Sequence, residues 1–166
     1  MKAIALTGGL ATVVDDEDYD ALAQHQWFAH RNGNTYYAQR NSRGTRHRHP
    51  IHMHRCITHC PEWCEVDHIN HNGLDNRKHN LRVCTKSQNQ QNRTKTYEGT
   101  SCFKGVRRRP GRPWEARIRF HGALRHLGKF SDERVAALAY DYAASVYFGE
   151  YAYFNRPFGS FLGEQI

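Results

Sequence analysis

The residues best suited to chemistry lie between positions 66 and 93. Asp67 and His68 are adjacent at the end of a short apolar run, Asn80 precedes a second such run, and Asn89 follows in a polar stretch. A carboxylate and an amide oxygen can hold a hard divalent cation against a phosphate, and a neighbouring imidazole can take a proton from water. Because phosphate and water must fill the remaining ligand positions, this set favours Mg²⁺ or Mn²⁺ over zinc. It predicts metal-assisted phosphodiester hydrolysis.

Four elements must position these side chains. The first apolar run predicts a strand, an Asn- and Gly-rich loop follows, and Leu81–Cys84 predicts a second strand. Thr85 and Gln88 then stand at the spacing of a capping box, which predicts the start of a helix. In this order of strand, loop, strand and helix, the acid–imidazole pair on the first strand can face Asn89, and Asn80 can brace the imidazole.

The stretch closely resembles the HNH homing endonucleases that phages and mobile introns encode. The resemblance covers most of residues 1–93 and is most specific over residues 66–93. It is carried by the motifs DHINHNG (67–73), DNR (75–77), NLR (80–82) and SQN (87–89), together with Asn92 and Arg93.

That resemblance implies a site built around one divalent metal ion, Mg²⁺ or Mn²⁺. In the family, the residues at the positions of Asp67 and Asn89 bind the metal. The histidine at the position of His68 is the general base, and the asparagine at the position of Asn80 orients it. Many relatives carry histidine at the position of Asn89, so this chain resembles the subtype with asparagine there. A decayed, inactive copy of the module is the alternative.

The overall charge predicts an acidic polymer as partner. The chain has 166 residues, a formal net charge of +8 and 12 histidines, and its length allows one medium domain or two small ones. Charge alone does not distinguish DNA from RNA or from an anionic membrane. There is no apolar run long enough to span a membrane and no signal-peptide core, so we expect a cytoplasmic protein, in the host cell if phage-encoded, that is not secreted.

The cysteines do not predict a disulfide framework or a structural zinc site. Five are present, and Cys56, Cys60 and Cys64 are spaced four apart with no C-x-x-C motif. Pro61 interrupts any helix that could align these three thiols. We expect reduced, partly buried thiols.

Two β-hairpins are predicted ahead of the nuclease motif, around Gly8-Gly9 and around Asn32-Gly33-Asn34. A short acidic helix between them could be capped by Asp16 or Asp18. The basic, His-rich run at residues 40–54 is predicted to contact phosphates.

A second block begins near residue 102, after a polar linker. Residues 103–109, 114–120 and 124–130 alternate in character and predict three strands. A helix follows, with Ser131 as its predicted N-cap and Gly149 at its end. Its predicted packing stripe consists of Val135, Leu138, Ala139, Tyr142, Ala143 and Val146.

Packing of one sheet face on this helix would leave the other face free and basic. A basic sheet face suits insertion into a DNA major groove. The residues predicted to share it are Arg107, Arg109, Arg117, Arg119 and Arg125.

This block resembles the plant ethylene-response-factor (Apetala-type) DNA-binding domain, which also occurs fused behind HNH nucleases in phages. The motifs are FKGVRRR, WEARIR, LGKF, AALAYDYAA and FGEYAYFN. The family's DNA-contacting positions are matched by Lys104, Arg107, Arg109 and Arg119. Two family tryptophans are replaced by Gly111 and His126, and its strand glutamate by Arg117, so the base sequence read by the plant proteins does not carry over.

The predicted fold class is α+β. An HNH nuclease domain of the ββα-metal type with N-terminal β-hairpins covers residues 1–93. Residues 94–101 are a linker, residues 102–156 form a three-stranded antiparallel sheet packed on one helix, and residues 157–166 are a tail.

The predicted function is a site-recognising, homing-type endonuclease that hydrolyses duplex DNA with one divalent metal ion. With one nuclease motif per chain, a monomer that nicks is expected. Arg77, Arg82 and Arg93 are predicted phosphate contacts. The alternatives are a sequence-specific DNA-binding regulator with an inactive nuclease module, and an RNA-directed nuclease.

Overall fold

The protein, described here by a computed structural model, forms two compact units, residues 1–89 and 90–166. The structure describes residues 1–42, 49–95 and 99–155. The predicted tail, part of the predicted linker and part of the basic run at residues 40–54 lie outside these residues. The division between the units falls within a helix that follows the nuclease motif, earlier in the chain than the predicted linker at residues 94–101.

The first unit contains two antiparallel hairpins, one three-stranded antiparallel sheet and short helices, and both predicted N-terminal hairpins are present. Its elements are β1 (Lys2–Ala5), β2 (Ala11–Val14), α1 (Asp16–Ala23), β3 (Phe28–Asn32), β4 (Thr35–Asn41), β5 (Pro50–His52), α2 (Met53–Thr58), β6 (Glu65–His68), a 3₁₀ turn (Lys78–Asn80), β7 (Leu81–Cys84) and α3 (Lys86–Asn92). The β6–β7 hairpin encloses a long loop, and α3 follows directly, as the motif predicts.

The core of the first unit is centred on Trp27 and Met53, which are 1% and 0% exposed. The indole Nε1 of Trp27 donates to Leu22 O at 2.8 Å, so the ring is buried without leaving its polar atom unsatisfied. The predicted capping box also forms, since Thr85 N donates to Gln88 Oε1 and Gln88 N donates to Thr85 Oγ1. At α1, the N-cap is Asp15 rather than Asp16 or Asp18.

The second unit is a three-stranded antiparallel sheet with one long helix on one face. Its elements are β8 (Val106–Arg108), β9 (Trp114–Phe120), β10 (Ala123–Phe130), α4 (Glu133–Phe148) and a 3₁₀ turn (Gly149–Tyr151), with strand order β10-β9-β8. Ala116 and Ile118 of β9 are buried against the helix. The N-cap of the helix is Asp132, whose carboxylate accepts hydrogen bonds from Arg134 N and Val135 N, so the prediction of Ser131 as N-cap was wrong.

The predicted packing stripe of α4 was also largely wrong. Val135, Leu138, Tyr142 and Val146 are 48%, 40%, 72% and 64% exposed. The buried residues of α4 are mainly small: Ala136, Ala137, Tyr140, Asp141, Ala143 and Ala144. Alanine lets a helix backbone approach a sheet closely, and the helix is apolar on more than one side, so hydrophobic spacing alone could not select the buried face.

Among the described residues, no helix is long and apolar enough to cross a membrane.

The close approach of sheet and helix gives a stability prediction at Gly105. Its φ is +76°, and a Cβ there would collide with the ring of Tyr140 and lie 2.7 Å from Arg117 O. We expect Gly105→Ala to lower the free energy of unfolding of the second unit by about 3 kcal/mol, through backbone strain plus overpacking. Urea denaturation measures this change.

Gly111→Ala is the matched control, because Gly111 also has a positive φ (+68°) but nothing lies within 4 Å of its Cβ position. It carries only the backbone cost of about 1 kcal/mol. Equal losses in the two variants would contradict the packing argument.

Candidate active site and basic sheet face

The β6–β7 hairpin separates the predicted catalytic residues onto two faces. In the strand register, Asp67 lies opposite Arg82 and His68 lies opposite Leu81. Because side chains alternate along a strand, Glu65 shares the face of Asp67, whereas His68 at the end of β6 lies on the other face.

Asp67 is a buried carboxylate held by an arginine. It is 6% exposed, and its Oδ2 accepts hydrogen bonds from Arg82 Nε at 2.9 Å and Arg82 Nη2 at 2.6 Å. The Arg82 side chain is itself only 12% exposed. A buried carboxylate needs such a partner, since an uncompensated charge in the interior is costly. Arg82, predicted as a phosphate contact, therefore serves first to balance the charge of Asp67.

Asn89 lies on α3 and reaches back to the same hairpin. Its Nδ2 donates to Glu65 Oε2 at 2.6 Å, which brings a second carboxylate into the predicted metal-binding neighbourhood. The metal-binding atoms that Glu65, Asp67 and Asn89 can offer are oxygens, and oxygen ligands fit a hard cation such as Mg²⁺ or Mn²⁺. Across residues 1–42, 49–95 and 99–155, no three His, Cys, Asp or Glu side chains converge as a metal site. A cation here would therefore need substrate phosphate and water as further ligands.

His68 is buried and oriented by an asparagine of the loop. It is 5% exposed, and its Nε2 lies 3.2 Å from Asn76 Oδ1. Burial lowers the pKa of His68 below its ordinary value, partly opposed by the hydrogen bond with Asn76 and by the charge of Asp67. A lowered pKa keeps the imidazole neutral near neutral pH, as a general base requires.

Asn80 bonds to the loop that follows His68, whereas Asn76 makes a side-chain contact with the imidazole. The Asn80 Nδ2 donates to Asn70 Oδ1 at 3.0 Å and to Asp75 O at 2.8 Å. Its Oδ1 accepts from Asn70 N at 3.0 Å. Both amide hydrogens of Asn80 are thus donated to the loop that begins beside His68.

Two aromatic rings lie against the imidazole of His68, and a third lies against one of these. The ring of His54 lies 5.2 Å from it and that of Tyr37 lies 5.6 Å from it, both edge-on. The ring of His52 lies 5.1 Å from that of His54, tilted by 36°. Burial, with the charges of His68, His52 and Arg55, lowers the pKa of His54 to about 2. Burial and the charge of Asp67 raise the pKa of Tyr37.

The other two arginines predicted at phosphates differ in their surroundings. Arg77 forms two hydrogen bonds of 2.7 Å with the carboxylate of Asp75. This pairing holds the pKa of Asp75 below its usual range. Arg93 is exposed just beyond the end of α3.

The cysteines are free thiols, and an arginine organises the loop that contains two of them. The guanidinium of Arg55 donates to Cys64 O at 2.9 Å, to Pro61 O at 2.6 Å and to Cys60 O at 3.3 Å. Backbone carbonyls around one cation thus hold this turn together.

The free face of the second unit's sheet is basic but narrower than predicted. Arg117 and Arg119 lie opposite His126 and Leu124 on β10. Arg107 shares this face and pairs with Glu115, with 2.8 Å between Nη2 and Oε2. Arg109 is exposed just after β8. Arg107 is therefore charge-balanced, whereas Arg109 and Arg119 are exposed to solvent.

Arg125 lies on the opposite face, so its predicted place on the basic sheet face was wrong. It pairs in register with the buried Ile118, and its guanidinium lies 5.6 Å from the Phe120 ring and 5.5 Å from the Tyr147 ring. The hairpin turn places odd-numbered residues of β9 opposite even-numbered residues of β10. Arg125 and Arg119, both odd-numbered, therefore lie on opposite faces of the sheet.

Lys104 is also engaged within the protein. Its Nζ donates to Gln91 O at 2.6 Å and to Arg93 O at 2.7 Å, and lies 5.2 Å from the ring of Tyr153. Burial, with a smaller contribution from Arg93, lowers its pKa to about 8. The ammonium of Lys104 thus donates to carbonyls at the end of α3. The sequence had predicted that Lys104 contacts DNA.

Sequence reasoning missed Glu65 and Asn76 as neighbours of the site. Glu65 could have been found from the period of two along the strand, since it stands two residues before Asp67. Asn76 gave no such signal, because amides in a Gly- and Asn-rich loop usually indicate turns.

The sequence model of the HNH endonuclease family matches residues 50–91, which contain β5 through most of α3 and all the candidate catalytic residues. An HNH endonuclease domain is therefore present in the first unit.

Two curated proteins are similar to parts of the chain. An uncharacterized HNH endonuclease, L560, of Acanthamoeba polyphaga mimivirus is 35% identical over 91 residues, covering 55% of this chain and 46% of its own. Dehydration-responsive element-binding protein 2D of Arabidopsis thaliana is 46% identical over 63 residues, covering 36% of this chain and 31% of its own. The chain thus spans less than half the length of either relative. No solved structure matches significantly.

The buried His54 gives a prediction for pH dependence. Since its pKa in the folded protein lies far below the ordinary 6.5, the unfolded chain binds a proton that the folded protein does not. The contribution of His54 to stability is complete above about pH 6.5 and is lost as pH falls, at up to about 1.4 kcal/mol per pH unit. Urea denaturation at several pH values should therefore give a flatter acid-side decline for His54→Phe than for the parent.

His79→Gln is the matched control, because it removes an imidazole from the exposed surface of the same unit. If His54→Phe and the parent lose stability in parallel below pH 6.5, the interior histidine is not the source of the acid sensitivity.

Proposed function

We propose that the chain is a metal-dependent DNA endonuclease of the homing type, which hydrolyses phosphodiester bonds of duplex DNA and acts as a monomer that nicks. The observation that carries this proposal is the buried His68, in contact with the amide of Asn76 and next in the chain to Asp67, within the segment that matches the HNH endonuclease family. We assign this segment to the ββα-metal architecture of strand, loop, strand and helix.

In the proposed reaction, His68 accepts the proton of an attacking water as a neutral imidazole. Asp67 and Asn89, with Glu65 beside them, would hold one Mg²⁺ or Mn²⁺ ion. Such an ion would stabilise the negative charge on the phosphate and on the leaving oxygen. Asn80 fixes the loop that follows the imidazole, through its bonds with Asn70 and Asp75.

The second unit is proposed to place the enzyme on its target. Its sheet face presents Arg109, Arg117 and Arg119. In addition, 36% of this chain is similar to part of a plant protein whose name states that it binds a DNA element. We propose an ethylene-response-factor-like DNA-binding module spanning about residues 102–156, with its sheet in the major groove. This similarity also supports the alternative, a DNA-binding regulator whose nuclease module does not cut.

The decisive test is cleavage of supercoiled plasmid carrying candidate intron-flanking sequence, with Mg²⁺ or Mn²⁺. We expect nicked circles from the parent, loss of cleavage with EDTA, and a rate about 10² to 10⁴ lower for His68→Ala with duplex binding retained. His79→Ala, which removes an exposed imidazole of the same loop, is the matched control and should cleave like the parent.

Equal cleavage by the parent and His68→Ala would overturn the mechanism. Tight, specific duplex binding without cleavage of a bound target would favour the regulator. Cleavage of structured RNA in preference to duplex DNA would point to an RNA-directed nuclease, because A-form RNA hides the major groove from a sheet.

The two faces of the β9–β10 hairpin give a second prediction. Arg119→Ala should weaken duplex binding and reduce the salt dependence of the binding constant by about one counterion, since an exposed arginine is removed from the proposed interface. Arg125→Ala is the matched control, because this arginine covers aromatic rings on the helix face. It should lower thermal stability while leaving the salt slope unchanged. A reduced salt slope in Arg125→Ala but not in Arg119→Ala would mean that DNA binds the helix face of the sheet, contrary to the proposal.

A further inference from the structure

A buried threonine of the N-terminal hairpin is linked to the candidate catalytic histidine through one asparagine. Thr12 on β2 and Asn76 in the nuclease loop are both 0% exposed. Asn76 Nδ2 donates to Thr12 Oγ1 at 2.7 Å, and Asn76 Oδ1 lies 3.2 Å from His68 Nε2. Thr12 lies outside the segment that matches the HNH endonuclease family, so the family match assigns it no role.

The three hydrogen bonds that link Leu74, Thr12, Asn76 and His68 each have one possible donor, and the bond to Leu74 determines the other two. Thr12 Oγ1 lies 2.8 Å from Leu74 O, and a carbonyl oxygen can only accept, so the hydroxyl hydrogen points to Leu74. The hydroxyl oxygen can then only accept from Asn76, which requires the amide nitrogen of Asn76 to face Thr12. A second contact agrees, since the same nitrogen lies 3.5 Å from Gly73 O, also an acceptor.

The amide oxygen of Asn76 must therefore face His68, and an amide oxygen can only accept. The Nε2 of His68 must carry the hydrogen in this contact. In a neutral imidazole one ring nitrogen carries a hydrogen and the other carries the lone pair, so the lone pair resides on Nδ1.

We propose that Thr12 and Asn76 are positioning residues that hold His68 in its Nε2–H tautomer, so that Nδ1 is the atom that accepts the proton of the attacking water. The catalytic part of this proposal rests on the proposed nuclease function; the tautomer does not. A wrong tautomer leaves a correctly placed imidazole unable to act as a base.

Backbone hydrogen bonds hold the loop against β2 without the hydroxyl of Thr12, so this hydroxyl can be removed by itself. Val13 N donates to Leu74 O at 2.9 Å and Asn76 N donates to Val13 O at 2.8 Å, so β2 clamps the loop independently of the threonine hydroxyl. Thr12→Val keeps the shape of the side chain and removes only the hydroxyl. Thr12→Ser restores the hydroxyl in a smaller side chain.

The experiment combines NMR of the histidine ring nitrogens with cleavage kinetics, using the full chain. Long-range ¹H–¹⁵N spectra are recorded at a pH where the imidazoles are neutral, with His68→Ala to assign the His68 signals. We expect the Nε2–H pattern in the parent and in Thr12→Ser, and a mixture of tautomers in Thr12→Val and Asn76→Leu. In plasmid cleavage we expect kcat to fall about 10- to 100-fold in those two variants, with KM unchanged and with recovery in Thr12→Ser.

An Nδ1–H pattern in the parent would overturn the proposal whatever the cleavage result. Parent-like tautomer and kcat in Thr12→Val would overturn the role of the threonine. Loss of folding in Thr12→Val is checked by circular dichroism, and Thr12→Ser against Asn76→Leu then supplies the comparison. If the parent shows the Nε2–H pattern but cuts no nucleic acid, the nuclease function fails while the tautomer assignment stands.

Discussion

The first unit depends on satisfying buried amides in the loop between β6 and β7. Asn76 and Asn80 are 0% and 3% exposed, and a buried amide left unpaired would cost about 1–3 kcal/mol. Each side chain has its donors and acceptor placed against a fixed partner, which allows the loop one arrangement. Because one of those partners is Thr12, the N-terminal hairpin is part of the site's architecture rather than an appendage to it.

Two arginines of this unit pair with buried carboxylates of the same unit. Arg82 compensates the buried Asp67, and Arg77 compensates the nearly buried Asp75. Neither carboxylate is thus left as an uncompensated charge in the interior. In the second unit, by contrast, Arg109 and Arg119 face solvent.

The second unit solves a packing problem with small residues. Alanines along the inner side of α4 let the helix lie close to β9, and Gly105 admits the ring of Tyr140 against the sheet. This close packing covers one face of the sheet with a single helix, and no other helix among residues 99–155 covers the second face. Four larger apolar side chains of α4 remain exposed, which a hydrophobic pattern on its own would not suggest: Val135, Leu138, Tyr142 and Val146.

By itself, the sequence determined the strand–loop–strand–helix order, the capping box at Thr85, both N-terminal hairpins and the strands of the second unit, because these follow from local periodicity and turn chemistry. Which side chains meet was decided by tertiary structure. The partnership of Asn76 with His68 depends on a threonine 64 residues away in the chain, which no local pattern encodes. The face of Arg125 depends on the hairpin register, and the burial of Lys104 depends on carbonyls beyond a loop. Long-range satisfaction of buried polar groups, rather than spacing, sets these contacts.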